Sequence, residues 1–452
     1  MNASSLRRIG TLLALLLFVS VSVQAQDVRR ISFNEAIQIA LDQNISLKQS
    51  ANQVEITSTR VSDNKWSFYP NLNLSTGAGQ SYGRNIDLTT NDFVNEAAES
   101  WNASVSTGVS LYTGGRRQAA LAQSRLDLEA ADFQYDRQRQ TVIFRVMSNY
   151  LNLIDQSQQV LIREENLAAQ QQELDRIQEF VRVGQRAISD QFQQETQVAN
   201  AELQLIQTQR LLQLAEANLI QILQLDPFGA YEFVIPNLDA NDLEEQAYNV
   251  SDMLNEAFAQ RTDLQAQERS IEASEKDIQI ARAGRLPSIN LSGSYNTRWS
   301  SVAADRLNLA DQLDLNRGGG VSVGLSLPLF DRFNTRNNTQ RARVQYQNAL
   351  LGLENLRQDV ALEVRQAYLD YQTAIQTLDA TAAALAAAEQ ALEVEQERYA
   401  VGSSTIVELT QSRASFVQAQ SNRASAVYDF LFREKLIEYY TGGITADEAL
   451  FD

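Results

Sequence analysis

Two kinds of hydrophobic pattern follow one another along the chain and then recur in the same order. Phe33, Ala36, Ile37, Ala40 and Leu41 fall at helical spacing, with Ser32 and Glu35 placed as a capping box. A helix is therefore expected from Phe33 to Leu47, and a second from about Ser50 to Ser67. After Pro70 the period drops to two. Leu72, Leu74, Thr76 and Ala78 alternate with their neighbours, as do Trp101, Ala103, Val105, Thr107, Val109 and Leu111. That is the signature of a strand pair, here joined by a polar, Asn- and Asp-rich loop from Gly83 to Ser100. From Arg116 to Leu225 the helical pattern returns, without proline and with Gly184 as its only glycine. Ala, Gln, Leu, Glu and Arg dominate it, residues that keep most of their side-chain freedom in a helix. The stretch predicts two very long helices joined by one turn, Val183-Gly184-Gln185-Arg186-Ala187-Ile188-Ser189-Asp190. At 1.5 Å per residue, Arg116 to Val183 would be a rod of roughly 100 Å, against ~10–14 residues for an ordinary helix. Such a rod needs something to lie against along its whole length.

The second half of the chain supplies it. Pro287 opens an alternating run of Ile289, Leu291, Gly293, Tyr295, Thr297 and Trp299; a polar loop follows, then Val321, Val323, Leu325, Leu327 and Leu329. Asn334 to Tyr440 is again proline-free, with the turn Val401-Gly402-Ser403-Ser404-Thr405-Ile406-Val407-Glu408. Arg125 and Arg343, Tyr150-Leu151 and Tyr368-Leu369, and Val183-Gly184 and Val401-Gly402 are all separated by the same 218 positions. A constant offset over so long a span marks an internal two-fold repeat. Between the halves, Leu225 to Asn249 holds Pro227, Pro236 and many acids and reads as an irregular connector. Short helices are expected from Ser251 and over Thr262 to Ala283, and Thr441-Gly442-Gly443 ends the last long helix.

The strands have a length that matters. Each carries about a dozen residues, and a tilted membrane-spanning strand needs about 9–11. Alternation puts small or polar residues on one face and apolar ones on the other, and Trp101, Tyr295 and Trp299 suit an interfacial girdle. A soluble four-stranded sandwich is the plain alternative. Four strands cannot close a membrane barrel, which takes about eight or more, so in a bilayer several chains must pool theirs. Two chains and three chains both satisfy that condition.

Composition narrows the function classes. The 452 residues are 44% hydrophobic and carry 38 Lys and Arg against 56 Asp and Glu, a formal charge of −18. That excess argues against nucleic acid as a partner, because phosphate binding needs clustered cations. Its plain meaning is a self-repelling, soluble surface; the sharper one is that some acids line a cation-attracting passage. Cysteine and histidine are absent, which removes disulfides, thiolate chemistry, Cys/His metal sites and histidine triads. No cofactor is expected. At the start, Arg7-Arg8, an apolar run from Leu12 to Val23 and the small residues Val23 and Ala25 form a secretory signal peptide cut after Ala25. The run is shorter than the ~20 residues a membrane span requires, and no Cys follows the cut to carry a lipid. The expected organisation is a signal peptide at 1–25, a first structural repeat at 26–224, a connector at 225–250, a second repeat at 251–443 and a tail at 444–452.

The order helix pair, strand pair, long helical hairpin, all of it twice, resembles the TolC family of outer-membrane efflux channels over nearly the whole mature chain. The most specific pieces are the two turns, Val183-Gly184-(x)4-Ser189-Asp190 and Tyr399-(x)-Val401-Gly402-(x)3-Ile406-Val407-Glu408, at matching places in two proline-free hairpins. The resemblance implies a mainly α chain with membrane β-strands, a homotrimer whose twelve pooled strands, four per chain, form one β-barrel. A long α-helical coiled-coil barrel would continue it across the periplasm. It also implies that both turns lie at the periplasmic tip, closed by inward-pointing acids and inter-helix hydrogen bonds. Carried over by position, Glu408 takes an aperture acid's place and Gln411 a second one. Ser189 and Asp190 match residues that bond across to the second hairpin, and Tyr399 matches the aromatic of that network. Val183, Gly184, Val401 and Gly402 match the turns where a periplasmic adaptor docks. The chain departs from the pattern at Gln411, which is neutral, at Ser404, where a bridging arginine is found in relatives, and at Val181, where an aromatic is common. The plain reading of Glu408 and Asp190 is a solvated acid at a helix start, where it interacts favourably with the helix dipole by about 0.3–1 kcal/mol.

The expected function is an outer-membrane exit duct, not an enzyme. It would serve a tripartite efflux or type I secretion system, with a periplasmic adaptor (membrane fusion) protein and an inner-membrane pump of RND or ABC type, the pump supplying the energy. No phosphate-cradling glycine loop is present that would do so here. The alternatives are a structural or adhesive trimeric coiled coil at the cell surface, which predicts sustained apolar heptads without strand pairs, and a periplasmic carboxylate enzyme, which needs acids converging in a pocket.

Overall fold

The computed structural model describes residues 28–86, 91–95, 97–235, 243 and 245–445. The expected signal peptide, Pro236 and residues 446–452 of the expected tail lie outside the described residues. The first half runs β1 (Arg29–Ile31), α1 (Phe33–Gln43), α2 (Ile45–Trp66), β2 (Asn71–Ser81), β3 (Asn85–Ile86), β4 (Phe93–Val94), β5 (Ala98–Thr113), α3 (Arg116–Arg182), α4 (Ile188–Ile222) and β6 (Tyr231–Phe233). The second half runs α5 (Val250–Gln260), α6 (Thr262–Arg282), β7 (Ser288–Ser300), α7 (Leu309–Leu315), β8 (Gly318–Ser326), α8 (Asn334–Ala400) and α9 (Ile406–Thr441). The two rods α3 and α8 each have 67 residues. Among the described residues no helix is long and apolar enough to cross a membrane.

Four expectations need correction. The helix from Phe33 to Leu47 breaks at Asn44, whose backbone N–H still reaches Ala40 while its side chain accepts from Leu47 N at 3.1 Å. Asn ends one helix and caps the next because its amide competes with the backbone for hydrogen bonds. The connector is not wholly irregular: β6 pairs in parallel with β1, and three-residue strands are too short to show a period. Both polar loops hold structure as well, the pair β3–β4 in the first and the helix α7 in the second. The last strand stops at Ser326 rather than Leu329, next to Pro328, which has no N–H to give a ladder.

Helices α2 and α4 lie in succession along α3. Gln138 donates to Ser46 at 3.0 Å near one meeting point, and Gln194 to Gln170 at 2.7 Å far along the rod. Helices α6 and α9 lie along α8 in the same way, through Gln267 to the Ala349 carbonyl and Arg423 to the Leu378 carbonyl. Apolar residues are concentrated midway, where Val142, Val146 and Tyr150 of α3 join Val360, Val364 and Tyr371 of α8 in the main core. Buried Tyr150 donates to the Val234 carbonyl at 2.5 Å, which ties β6 to the rod. Charge also links the halves, since Arg137 of the first lies 3.7 Å from Asp263 of the second, within a small cluster. Arg261 is 3% exposed and pairs with Asp263 at 2.6 Å and Glu363 at 2.5 Å. Burial would raise the Asp263 carboxyl, but the Arg261 hydrogen bonds and charge outweigh it and hold the group below the ordinary range.

The main sheet is antiparallel in the order β2-β5-β7-β8, so β5–β7 joins the two halves while β2 and β8 remain edges. Register places Leu74, Val105 and Tyr295 in one row and Leu291 beside Val323, so the apolar residues share one face. That face is open: Leu74 is 76% exposed and Val321 80%. A soluble sandwich would cover it, and nothing in the described chain does, so the sandwich alternative fails. The opposite face is Asn, Ser and Gly, laced by Ser75–Ser104 and Ser292–Ser322 contacts of 2.8 Å. Arg298 is the one charged residue on it among the described positions. The girdle also needs revision. Trp101 and Trp299 are register partners toward the loop end, whereas Tyr295 sits four residues back along β7, away from that rim. Exposed Trp66, Tyr69, Phe330 and Phe333 form a second aromatic rim where the sheet meets the helices.

Candidate functional site

Far from the sheet, the helical hairpins end in two turns of nearly the same shape. Gly184 has φ +77° and Gly402 φ +78°, and a Cβ added at either would meet nothing within 4 Å. Glycine is required there by the left-handed backbone that closes each helix, and the space around it is free. Val183 and Val401 flank these glycines and are exposed.

The second turn holds a tight acid-centred cap. The Glu408 carboxylate accepts from Thr405 N at 2.8 Å, Thr405 Oγ1 at 3.0 Å and Ser404 Oγ at 2.9 Å, and Thr405 Oγ1 accepts from Glu408 N in return. This reciprocal box satisfies donors that a helix start leaves open. The Thr405 backbone N–H first, then the Ser404 and Thr405 hydroxyls, hold the Glu408 carboxyl below its ordinary range. Ser404 is buried and also bonds Glu395, whose other oxygen pairs with Arg398 at 2.9 Å. Gln411 is exposed one turn further along α9.

The first turn reaches across to the second hairpin through a residue the sequence reading passed over. Arg186 donates to the Tyr399 carbonyl at 2.9 Å and stacks its guanidinium 4.3 Å over the Tyr399 ring. Tyr399 is 2% exposed and packs with Ile177, Ile406 and Leu409 in a small second core. Its hydroxyl is buried without a hydrogen-bond partner among the described residues, and burial raises its pKa. Within the chain Ser189 bonds its neighbour Asp190 at 3.4 Å rather than the second hairpin. The bridging cation absent at position 404 is thus supplied from the other turn. A lone arginine in the first turn, facing an aromatic just before the second, was the signal available.

Beside the tip, α3 and the α8–α9 hairpin enclose a groove of about 510 Å³ lined by Glu173, Arg176, Leu392, Gln396, Arg413 and Phe416. Glu173 is nearly buried and pairs with Arg176 at 2.6 Å. Among the described residues no group of three or more acids could hold a metal ion.

An open-edged sheet with one lipid-like and one polar face, carried on rods ending in a polar tip, is the subunit of a membrane channel. The sequence model of the outer membrane efflux protein family matches residues 36–224 and again 253–443, and the chain belongs to that family. It is 23% identical to outer membrane protein TolC of Escherichia coli over 419 residues, covering 90% of this chain and 81% of that one. It is also 23% identical to TolC of Salmonella enteritidis, spanning 71% of this chain and 64% of that protein's length. The fold matches a CusC structure concerned with transmembrane channel formation at TM-score 0.77, with 18% identity and 91% and 92% of the two chains covered. The protein is placed in the outer membrane and extends into the periplasm.

Proposed function

We propose that three copies of this chain form a passive exit duct through the outer membrane, one component of a tripartite efflux or type I secretion system. The observation that carries this is the sheet: two unpaired edges, an open apolar face and a polar face in a single four-stranded unit. Open edges are not tolerated in lipid, so β2 of one copy pairs with β8 of the next until the ring closes at twelve strands. The apolar face then meets lipid, and the Ser, Asn and Gly face lines water. The rods continue the wall through the periplasm to the tip. There the Arg186–Tyr399 bridge holds the two hairpins of each copy together, while Asp190, Glu408 and Gln411 face the aperture. Three acids around one axis favour cations and repel anions.

A periplasmic adaptor docks at the exposed turns Val183-Gly184 and Val401-Gly402 and along the adjacent groove, and its partner, an inner-membrane pump of RND or ABC type, provides the energy. An adhesive coiled coil has no use for the sheet. A carboxylate enzyme is disfavoured because Glu408 is engaged in capping its own helix. Mass determination with planar-bilayer conductance tests the proposal: a trimer giving small cation-selective steps supports it, and a monomer without conductance overturns it.

A further inference from the structure

The charge of the sheet–helix junction runs against that of the whole molecule. Each of the four passages between helix and strand carries exposed cations: Lys65 before β2, Arg116 after β5, Arg282 and Arg285 before β7, and Arg332 and Arg336 after β8. Among the described residues none of the six forms an ion pair, in a chain whose formal charge is −18. The acids at this level are otherwise engaged or unpaired. Asp331 accepts from Thr335 N at 2.8 Å and from its hydroxyl, Asp277 accepts from Gln123 at 3.0 Å, and Asp63 forms no ion pair among the described residues. The loop end of the sheet is different, since Arg306 pairs with Asp92 and Arg317 with Asp314. The cations also touch the aromatic rim: Arg336 lies 5.9 Å from the Phe333 ring, and neighbouring Arg117 lies 4.5 Å from Phe68.

We propose that this belt binds the phosphate groups of anionic phospholipids in the leaflet facing the periplasm. The inference rests on the reading that the sheet spans the outer membrane. The aromatic rim then marks the interface, where amphipathic rings settle. Cations beside the rim and up to a turn beyond it stand at phosphate depth. Guanidinium groups present a planar fork that grips a phosphate through paired hydrogen bonds, and five of the six cations are arginine. Standing outside any ion pair of the described residues keeps that fork available. The belt anchors the duct at a set depth while the rods remain in water.

The test uses the full protein reconstituted into phosphatidylcholine vesicles with and without phosphatidylglycerol, followed by counting of retained lipids by native mass spectrometry. R285Q/R332Q/R336Q removes three forks outside the helix caps, R285K/R332K/R336K keeps their charge, and R269Q is a control remote from the belt. Wild type and R269Q should retain phosphatidylglycerol preferentially. The triple glutamine variant should lose about tenfold or more of that preference, as each cation near an anionic surface adds a several-fold attraction, and the lysine variant should fall between. Equal retention by wild type and the glutamine variant overturns the belt. Displacement of the lipid by inorganic phosphate, but not by chloride at the same ionic strength, makes it a free-phosphate site and overturns the lipid assignment. Failure to insert into either vesicle, with no conductance, instead refutes the membrane reading of the sheet.

Discussion

Replacing Arg186 by glutamine tests whether the tip is held shut by the link between the two turns. The side chain makes two contacts with one residue, a hydrogen bond to the Tyr399 carbonyl at 2.9 Å and a stack 4.3 Å above its ring. A hydrogen bond from a charged donor contributes roughly 1.5–3 kcal/mol and a cation–π contact about 0.5–2 kcal/mol, depending on desolvation. Both contacts are made by one half-buried group and share the same desolvation, so they do not add in full, and about 1–3 kcal/mol is the expected loss. If the link exists only in the closed tip, that energy moves the closed–open balance by about 5- to 150-fold toward open. Single-channel recordings of the purified protein should show the change as a higher open fraction. Thermal unfolding should hardly move, because the main core lies midway along the rods. Y399F supplies the counter-test. It keeps the ring and the carbonyl and removes only a hydroxyl that has no partner among the described residues, so the open fraction should change by less than about twofold. An R186Q channel that opens no more than wild type, or a Y399F channel that opens as much as R186Q, refutes the reasoning.

Three other experiments probe the remaining parts. V323R puts a charge on the open apolar face and should lower outer-membrane insertion by about 2–4 kcal/mol, whereas S322R on the polar face should insert and alter conductance; membrane fractionation and bilayer recording separate them. E408Q with D190N should weaken cation preference, read as a shift in reversal potential, and an unchanged potential removes both acids from the aperture. Since hydrogen bonds hold the Glu408 carboxyl below its ordinary range, its stabilising cap is complete above that range and lost as pH falls through the lowered value. E408Q should therefore flatten any acid-side pH dependence of tip opening. Y150F should destabilise the protein by about 1–3 kcal/mol in denaturant unfolding, because the Val234 carbonyl at 2.5 Å is left without its donor.

Period and spacing alone determined most of the architecture. The rods end at Arg182 and Ala400, at the glycine turns read from the chain, because a helix without proline continues until a residue that favours left-handed backbone stops it. The four strands were equally legible from their two-residue alternation. Three-residue β1 and β6 were not, since their parallel pairing depends on residues about 200 positions apart and on the buried Tyr150 hydroxyl that serves them both. At the tip, sequence position singled out Glu408 and Tyr399, but only the packing of α3 against the second hairpin showed which groups meet. It joined Arg186 to Tyr399 and left Ser189 with its neighbour. The cations at the sheet–helix junction are scattered over 272 positions, from Lys65 to Arg336, and become one belt only when four strands end at the same level. Local pattern sets elements because hydrogen bonds in helices and the alternation of strands are local. Contacts between elements depend on how the rods and strands pack, and those the tertiary structure decided.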